Sequence, residues 1–276
     1  MKKITVTGGK GGTGKSTVAT ALAFELGKNH RVLLVDADAD CPNDHLLLGI
    51  KRNLIKTVNQ RIIKIDSEKC NGCGTCASVC EYNAIAMISS KSIVLEKMCS
   101  GCGACKIACP NNAILWKTKE VGKIYQGKGK GISLLSGELK LNEPASELVV
   151  EKLNELITEK EKEFDYVIVD TAAGTHCDVI SALTGADYAI AVTEPTPFGA
   201  HDLELILGLT SILGIKSGVV LNRAGLGENK LIEEICSSKK TRIIAEIPYS
   251  KKIMESYSNG LPVEHKSINK IAELVK

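Results

Sequence analysis

No apolar run in this sequence approaches the roughly 18 residues that a membrane-spanning helix needs, so no membrane partner is expected. An excess of one charge sign is also missing. Thirty-five Lys and Arg stand against 32 Asp and Glu, and the resulting net charge of +3 is too small to indicate a nucleic-acid partner. The five histidines fall at no metal-ligand spacing and read as ordinary surface or capping residues, His176 included. A first strand at residue 4 leaves no room for a signal peptide, which makes a cytoplasmic protein the expectation. In that compartment cysteines serve metals more often than disulfides. One further absence divides the chain. The alternation of strand-like and helix-like segments stops at about Thr57 and resumes only after Gly131.

What fills that gap is cysteine. Eight of the 11 cysteines form two copies of one pattern: Cys70, Cys73, Cys76 and Cys80, then Cys99, Cys102, Cys105 and Cys109, followed by Pro110. Every ligand of the first copy returns 29 positions later (99 − 70 = 29), as do Gly72/Gly101, Gly74/Gly103, Ala84/Ala113 and Ile85/Ile114. C-x2-C-x2-C-x3-C is the run that wraps a [4Fe–4S] cube in two-cluster ferredoxins, where the fourth cysteine of each run ligates the other cluster. Short gaps let three thiolates converge, and the interposed glycines let the backbone curl around the cube. Applying that exchange, cluster one takes Cys70, Cys73, Cys76 and Cys109, and cluster two takes Cys99, Cys102, Cys105 and Cys80. Paired zinc knuckles and a disulfide frame are the alternatives. Zinc favours C-x2-C pairs spaced further apart, and the first run departs from the ferredoxin pattern only in carrying Glu81 where Pro110 follows the second.

Upstream, the short strand Ile4-Thr5-Val6-Thr7 runs into Gly9-Lys10-Gly11-Gly12-Thr13-Gly14-Lys15-Ser16-Thr17. From Gly9 this satisfies G-x-x-x-x-G-K-[ST], a loop whose backbone N–H groups cradle phosphates at the start of a helix, here about Lys15 to Leu26. Lys15 is expected on the β- and γ-phosphates and the Ser16 hydroxyl on Mg²⁺. A glycine-rich turn that binds nothing is the alternative, disfavoured by the full motif between strand and helix.

The rest of the chain reads as α/β, a doubly wound, mostly parallel sheet. Strands are expected at Arg31 to Val35, ending at Asp36, and at Ser133 to Leu141, Tyr166 to Asp170, Tyr188 to Thr193, Gly218 to Asn222 and Arg242 to Ile247. Helices are expected from about Ser146 to Lys162, after Gly199 and from Ser267. The domains are therefore residues 1–56 and 132–276, two parts of one P-loop domain, with residues 57–131 as an inserted two-cluster ferredoxin. Lysines 117, 119, 123, 128 and 130, set among Gly122, Gly127, Gly129 and Gly131, read as a solvated loop.

Lys10-Gly11-Gly12-Thr13-Gly14-Lys15-Ser16-Thr17 resembles the deviant Walker A loop of the MinD/ParA/Mrp and nitrogenase iron protein superfamily. The whole arrangement is similar to the members that carry an inserted ferredoxin domain. That resemblance implies an ATPase that binds ATP or ADP with Mg²⁺. It makes Lys10 the additional lysine that crosses a two-fold interface to a partner's nucleotide, in a homodimer or a heterodimer with a paralogue. It makes Asp38, at the end of Val35-Asp36-Ala37-Asp38, the acid that positions water, with Asp36 and Asp40 as framework groups. Asp170 becomes the Walker B acid on Mg²⁺, Gly174 the switch II N–H donor to a γ-phosphate, Asn222 and Arg223 the adenine-reading strand end, and Pro248 with Tyr249 the packing along the base. Two alanines, Ala172 and Ala173, stand where the family often has prolines. Cys41 and Cys236 read as small hydrophobes, while Cys177 lies a few residues past Gly174, where the iron protein places a cluster ligand.

Electron transfer to a redox partner protein is the leading functional expectation. Assembly or carriage of a cluster for a metallocofactor protein is second. A MinD-like spatial organiser is third, because the end of the chain reads as a short capping helix and not a membrane anchor.

Overall fold

The structure, a computed structural model, describes every residue from Met1 to Lys276. In chain order its strands are β1 (Lys2–Thr7), β2 (Val32–Ala37), β3 (Arg52–Ile65), β4 (Ile85–Ile88), β5 (Lys91–Val94), β6 (Ile114–Gly129), β7 (Ile132–Leu139), β8 (Tyr166–Thr171), β9 (Tyr188–Thr193), β10 (Ser217–Ala224) and β11 (Ile243–Pro248). The chain divides into two compact units. The first comprises Met1–Lys56, Lys123–Leu139 and Ser146–Lys276, and the second comprises Thr57–Gly122 and Lys140–Ala145. No helix is long and apolar enough to cross a membrane.

In the first unit seven strands pair in parallel in the order β11-β10-β9-β1-β8-β2-β7. The order continues to β6 and β3, long strands whose residues are divided between the units. Period-two alternation explains why the central strands are apolar throughout. On β9, Ile190 and Val192 join a cluster with Val18, Leu22 and Leu26 of the helix Lys15–Gly27 and with Ile268 and Ile271 of Lys266–Val275. Ala189 and Ala191 turn the other way, toward Leu203, Ile206 and Leu207 of Pro197–Ile212. Helices therefore cover both faces of a mostly parallel sheet, the α/β architecture expected from the alternating pattern.

Two local expectations need correcting. The lysine- and glycine-rich stretch read as a loop is the second half of β6, closed by Lys130 (φ 54°) and Gly131 (φ 80°) as a two-residue turn into β7. Its glycines serve close packing: a side chain at Gly127 would press on the Lys51 carbonyl and Ile50. Residues 123–131 accordingly belong to the first unit and not to the insert. The helix expected to reach Lys162 ends at Glu159, and Glu161–Glu163 form a 3-10 turn.

The second unit is small. It contains the antiparallel β4–β5 hairpin, with Ile85 opposite Val94, and two one-turn helices, Thr75–Ser78 and Ala104–Ala108. One buried apolar cluster comprises Ile62, Ile63, Cys76, Ala84, Ile85, Cys99, Cys105 and Ile114. Internal symmetry is visible in two glycines of positive φ. A Cβ at Gly72 would strike the Ser90 carbonyl, and one at Gly101 would strike the Arg61 carbonyl. Both glycine and obstacle are related by the cysteine offset (101 − 72 = 29; 90 − 61 = 29).

Candidate functional site

The phosphate-loop residues gather at the carboxyl ends of the parallel strands, where open α/β sheets bind ligands. β1 delivers Gly9, Lys10, Gly11, Gly12, Thr13 and Gly14 into the helix that starts at Lys15, with Ser16 and Thr17 in its first turn. Gly14 sits at φ 97°, and any side chain there would collide with the Asn222 amide. That amide, at the end of β10, donates to the Thr13 carbonyl at 2.7 Å. The Lys15 side chain is buried and its Nζ donates to the Lys10 carbonyl at 3.0 Å. Burial lowers its pKa, opposed by the charges of Asp170 and Asp38. Gly174 N–H donates to the Gly8 carbonyl at 3.2 Å, so the segment after β8 is latched to the loop after β1.

The acids form a graded set. Asp38 is partly exposed; burial raises its pKa, while the Cys41 N–H, donating to its Oδ1 at 3.3 Å, and Lys15 lower it. Asp36, Asp44 and Asp170 are fully buried, with carboxylate oxygens converging within 4.8 Å of one another. The Asp44 N–H donates to Asp36 Oδ2 at 3.1 Å, yet both oxygens of Asp44 and both of Asp170 lack a hydrogen-bond partner. Burial pushes Asp170 up to about 7, against the pull of the Ser16 hydroxyl and Lys15. Asp36 and Asp44 are raised by burial too. Orphaned buried carboxylate oxygens beside the Ser16 hydroxyl make a donor set suited to a hydrated hard cation such as Mg²⁺. Asp40 is exposed and outside this set.

Glu194, like Asp44, is a residue that sequence reasoning missed. It follows β9, is largely buried, and accepts from Lys10 Nζ at 3.3 Å and Arg223 Nη1 at 2.8 Å. Arg223 Nη2 also donates to the Gly12 carbonyl at 3.1 Å. Lys10 lies 5.8 Å from the Phe198 ring centroid. The available signal was an acid directly after an apolar parallel strand, but only sheet pairing shows that β9 neighbours β1. Pro248 and Tyr249 are exposed at the end of β11.

In the second unit all eight repeat cysteines are free thiols that line two hollows. One is bounded by Cys70, Cys73, Cys76 and Cys109, the other by Cys80, Cys99, Cys102 and Cys105. The Thr75 hydroxyl holds the exposed Cys73 thiol below its ordinary pKa, and the Ala104 N–H does so for Cys102. Cys41 and Cys177 are exposed in the first unit, and Cys236 is buried.

Against known proteins, the family profile described as the CobQ/CobB/MinD/ParA nucleotide binding domain matches residues 4–263. The uncharacterized protein MJ0579 of Methanocaldococcus jannaschii is 37% identical over 94% of this chain and 90% of its own. Among solved structures, the septum site-determining protein MinD of Pyrococcus horikoshii, complexed with Mg-ADP, superposes with a TM-score of 0.64 at 22% identity, covering 100% of this chain and 96% of its own. The MinC:MinD cell division complex of Aquifex aeolicus gives 0.62 at 20%, covering 100% and 95%.

Proposed function

The chain belongs to the CobQ/CobB/MinD/ParA family of nucleotide-binding domains, and from that premise we propose an ATP-hydrolysing iron–sulfur protein. In this reading, nucleotide-driven closure of a dimer directs electrons through two [4Fe–4S] clusters to a partner protein. The observation that carries it is the sorting of eight free thiols into two four-thiol hollows, within a chain that also has a complete phosphate loop. Each hollow draws three cysteines from one run and the fourth from the other, the exchange that two-cluster ferredoxins use.

At the nucleotide, Lys15 exchanges its bond to the Lys10 carbonyl for the β- and γ-phosphates. Ser16, Asp38 and Asp170 would hold Mg²⁺, which would supply charge neutralisation to a phosphoryl transfer that is mostly positioning. The Mg-ADP bound by the Pyrococcus MinD supports this assignment. Asp38 orients the attacking water. Asn222, Arg223, Pro248 and Tyr249 border the base. Lys10 leaves Glu194 to reach the nucleotide of a second copy. Thr57–Gly122, the greater part of the expected insert 57–131, serve as the ferredoxin set between the two parts of the phosphate-loop domain.

Anaerobic purification followed by iron, sulfide and ATPase assays tests the reading. On the order of eight irons per chain, retained through many turnovers, is expected. Cys109→Ser should remove about half of the iron. Stoichiometric zinc would overturn the redox reading, and net loss of iron to an apo-acceptor during turnover would favour cluster carriage instead.

A further inference from the structure

The two thiol hollows are related by the 29-residue offset not only in their cysteines but in their walls. Each is completed by a residue from the strand preceding the other run. Ser92 on β5 lines the first hollow, with Cys70, Cys73, Cys76 and Cys109. Ile63 on β3 lines the second, with Cys80, Cys99, Cys102 and Cys105. These two positions are equivalent (92 − 63 = 29), and the fold fills them differently.

Ser92 is placed to act on sulfur. In the thiol form Cys76 Sγ–H donates to Ser92 Oγ at 3.6 Å, Cys70 Sγ lies 4.0 Å from the same oxygen, and Ser92 O–H donates to Met87 Sδ at 3.1 Å. A ligating thiolate has no proton to give. Ligation therefore reverses the Cys76 bond: the one hydroxyl proton of Ser92 turns from the Met87 thioether to a thiolate, the better acceptor, with Cys76 nearest and Cys70 next. Ile63 is buried and offers no donor at the corresponding position. Each hollow also carries one hydroxyl at its exposed thiol, Thr75 at Cys73 and Ser100 at Cys102, so Ser92 is the additional donor of the first.

Resting on the iron–sulfur reading, we propose that Ser92 sets the two clusters apart in reduction potential. It makes the site of Cys70, Cys73, Cys76 and Cys109 the one that takes the first electron. Reduction adds negative charge to the cube and its sulfurs, and a hydroxyl donating to those sulfurs stabilises the reduced form. Ile63 gives no such stabilisation at the equivalent position of the second cluster. Arg61 works in the opposite sense: its guanidinium stacks 4.1 Å from the Trp116 ring centroid, and Trp116 packs on Gly103 beside the second site. That charge is exposed and screened by salt over about 8 Å, whereas a hydrogen bond to sulfur acts at contact. The local donor wins.

Potentiometric titration monitored by electron paramagnetic resonance, on the full chain with its cubanes, tests this. Two one-electron midpoints are expected in the unaltered protein. Ser92→Ala should move the higher one down by about tenfold in its reduction equilibrium, or about 59 mV for a one-electron couple. Ser92→Thr, which keeps the hydroxyl, should restore it. Ile63→Ser should instead move the lower midpoint up. Cubanes retained in Ser92→Ala with both midpoints unmoved would overturn the role of Ser92 and leave the iron–sulfur reading standing. A protein that carries no cubanes in any variant would overturn both.

Discussion

The phosphate loop and the cysteine hollows solve opposite problems. Around the loop, binding groups already bond to one another: Lys15 to the Lys10 carbonyl, Asn222 to Thr13, Arg223 to Gly12 and Gly174 to Gly8. Their positions come from strand ends backed by two large apolar clusters, so the loop keeps its shape without a ligand. In the second unit three of the eight members of its buried apolar cluster are cysteines of the repeat. There, packing and the proposed ligation would use the same atoms. A small unit with so thin a core would depend on what its thiols hold, as metal-stapled domains do.

Given the proposed clusters, removal of iron should break that contrast most visibly. Hydrogen exchange of iron-free protein should show lost protection at Ile85–Ile88 and Lys91–Val94, with β1, β8 and β9 still protected. Equal protection of both units would end the comparison. Next in size is Lys15→Ala, which should weaken ATP binding by on the order of a hundredfold, the loss of two or so charge-assisted bonds to phosphate. Because Lys15 bonds only to a loop carbonyl, the variant's secondary structure should match the parent by circular dichroism.

Thiol reactivity sharpens the same contrast. Local hydrogen bonds lower Cys73 and Cys102, whereas burial pushes Cys236 up to about 11. Iodoacetamide at neutral pH should label the first two in iron-free protein at least tenfold faster than Cys236, read by peptide mass mapping. A smaller effect tests how strongly burial governs the first unit. Lys3 Nζ donates to the Thr184 carbonyl at 2.7 Å and Asn154 Oδ1 at 3.0 Å, and burial lowers its pKa from 10.5 to about 8 despite Asp187. Between those values the unfolded chain binds more protons than the folded one, so stability rises with pH. The stabilisation is present above 10.5 and lost as pH falls through about 8. The thermal midpoint should therefore climb across this window, and Lys3→Met should flatten the climb.

Features carried by contiguous residues were legible in the sequence. The phosphate loop, the doubled cysteine runs and the apolar strands all lie within windows of a few residues, where spacing carries the chemistry. Glu194 and Asp44 were not, because their roles arise from parallel pairing and chain return. Thr7 lies beside Ala191 only after the sheet forms, and Asp44 meets Asp36 through a backbone bond that no motif announces. The stretch from Lys117 to Gly131 misled for a different reason. Glycines that admit Ile50 and Lys51 look, in sequence, like glycines that loosen a loop.

The bond from Gly174 to Gly8 has a consequence for timing. Under the role proposed for Gly174, its one hydrogen would face two rival acceptors, the Gly8 carbonyl and a terminal phosphate that lasts only until hydrolysis. The segment would relax back to a partner of its own when that phosphate leaves. The arrangement seen here would then be a stored return address.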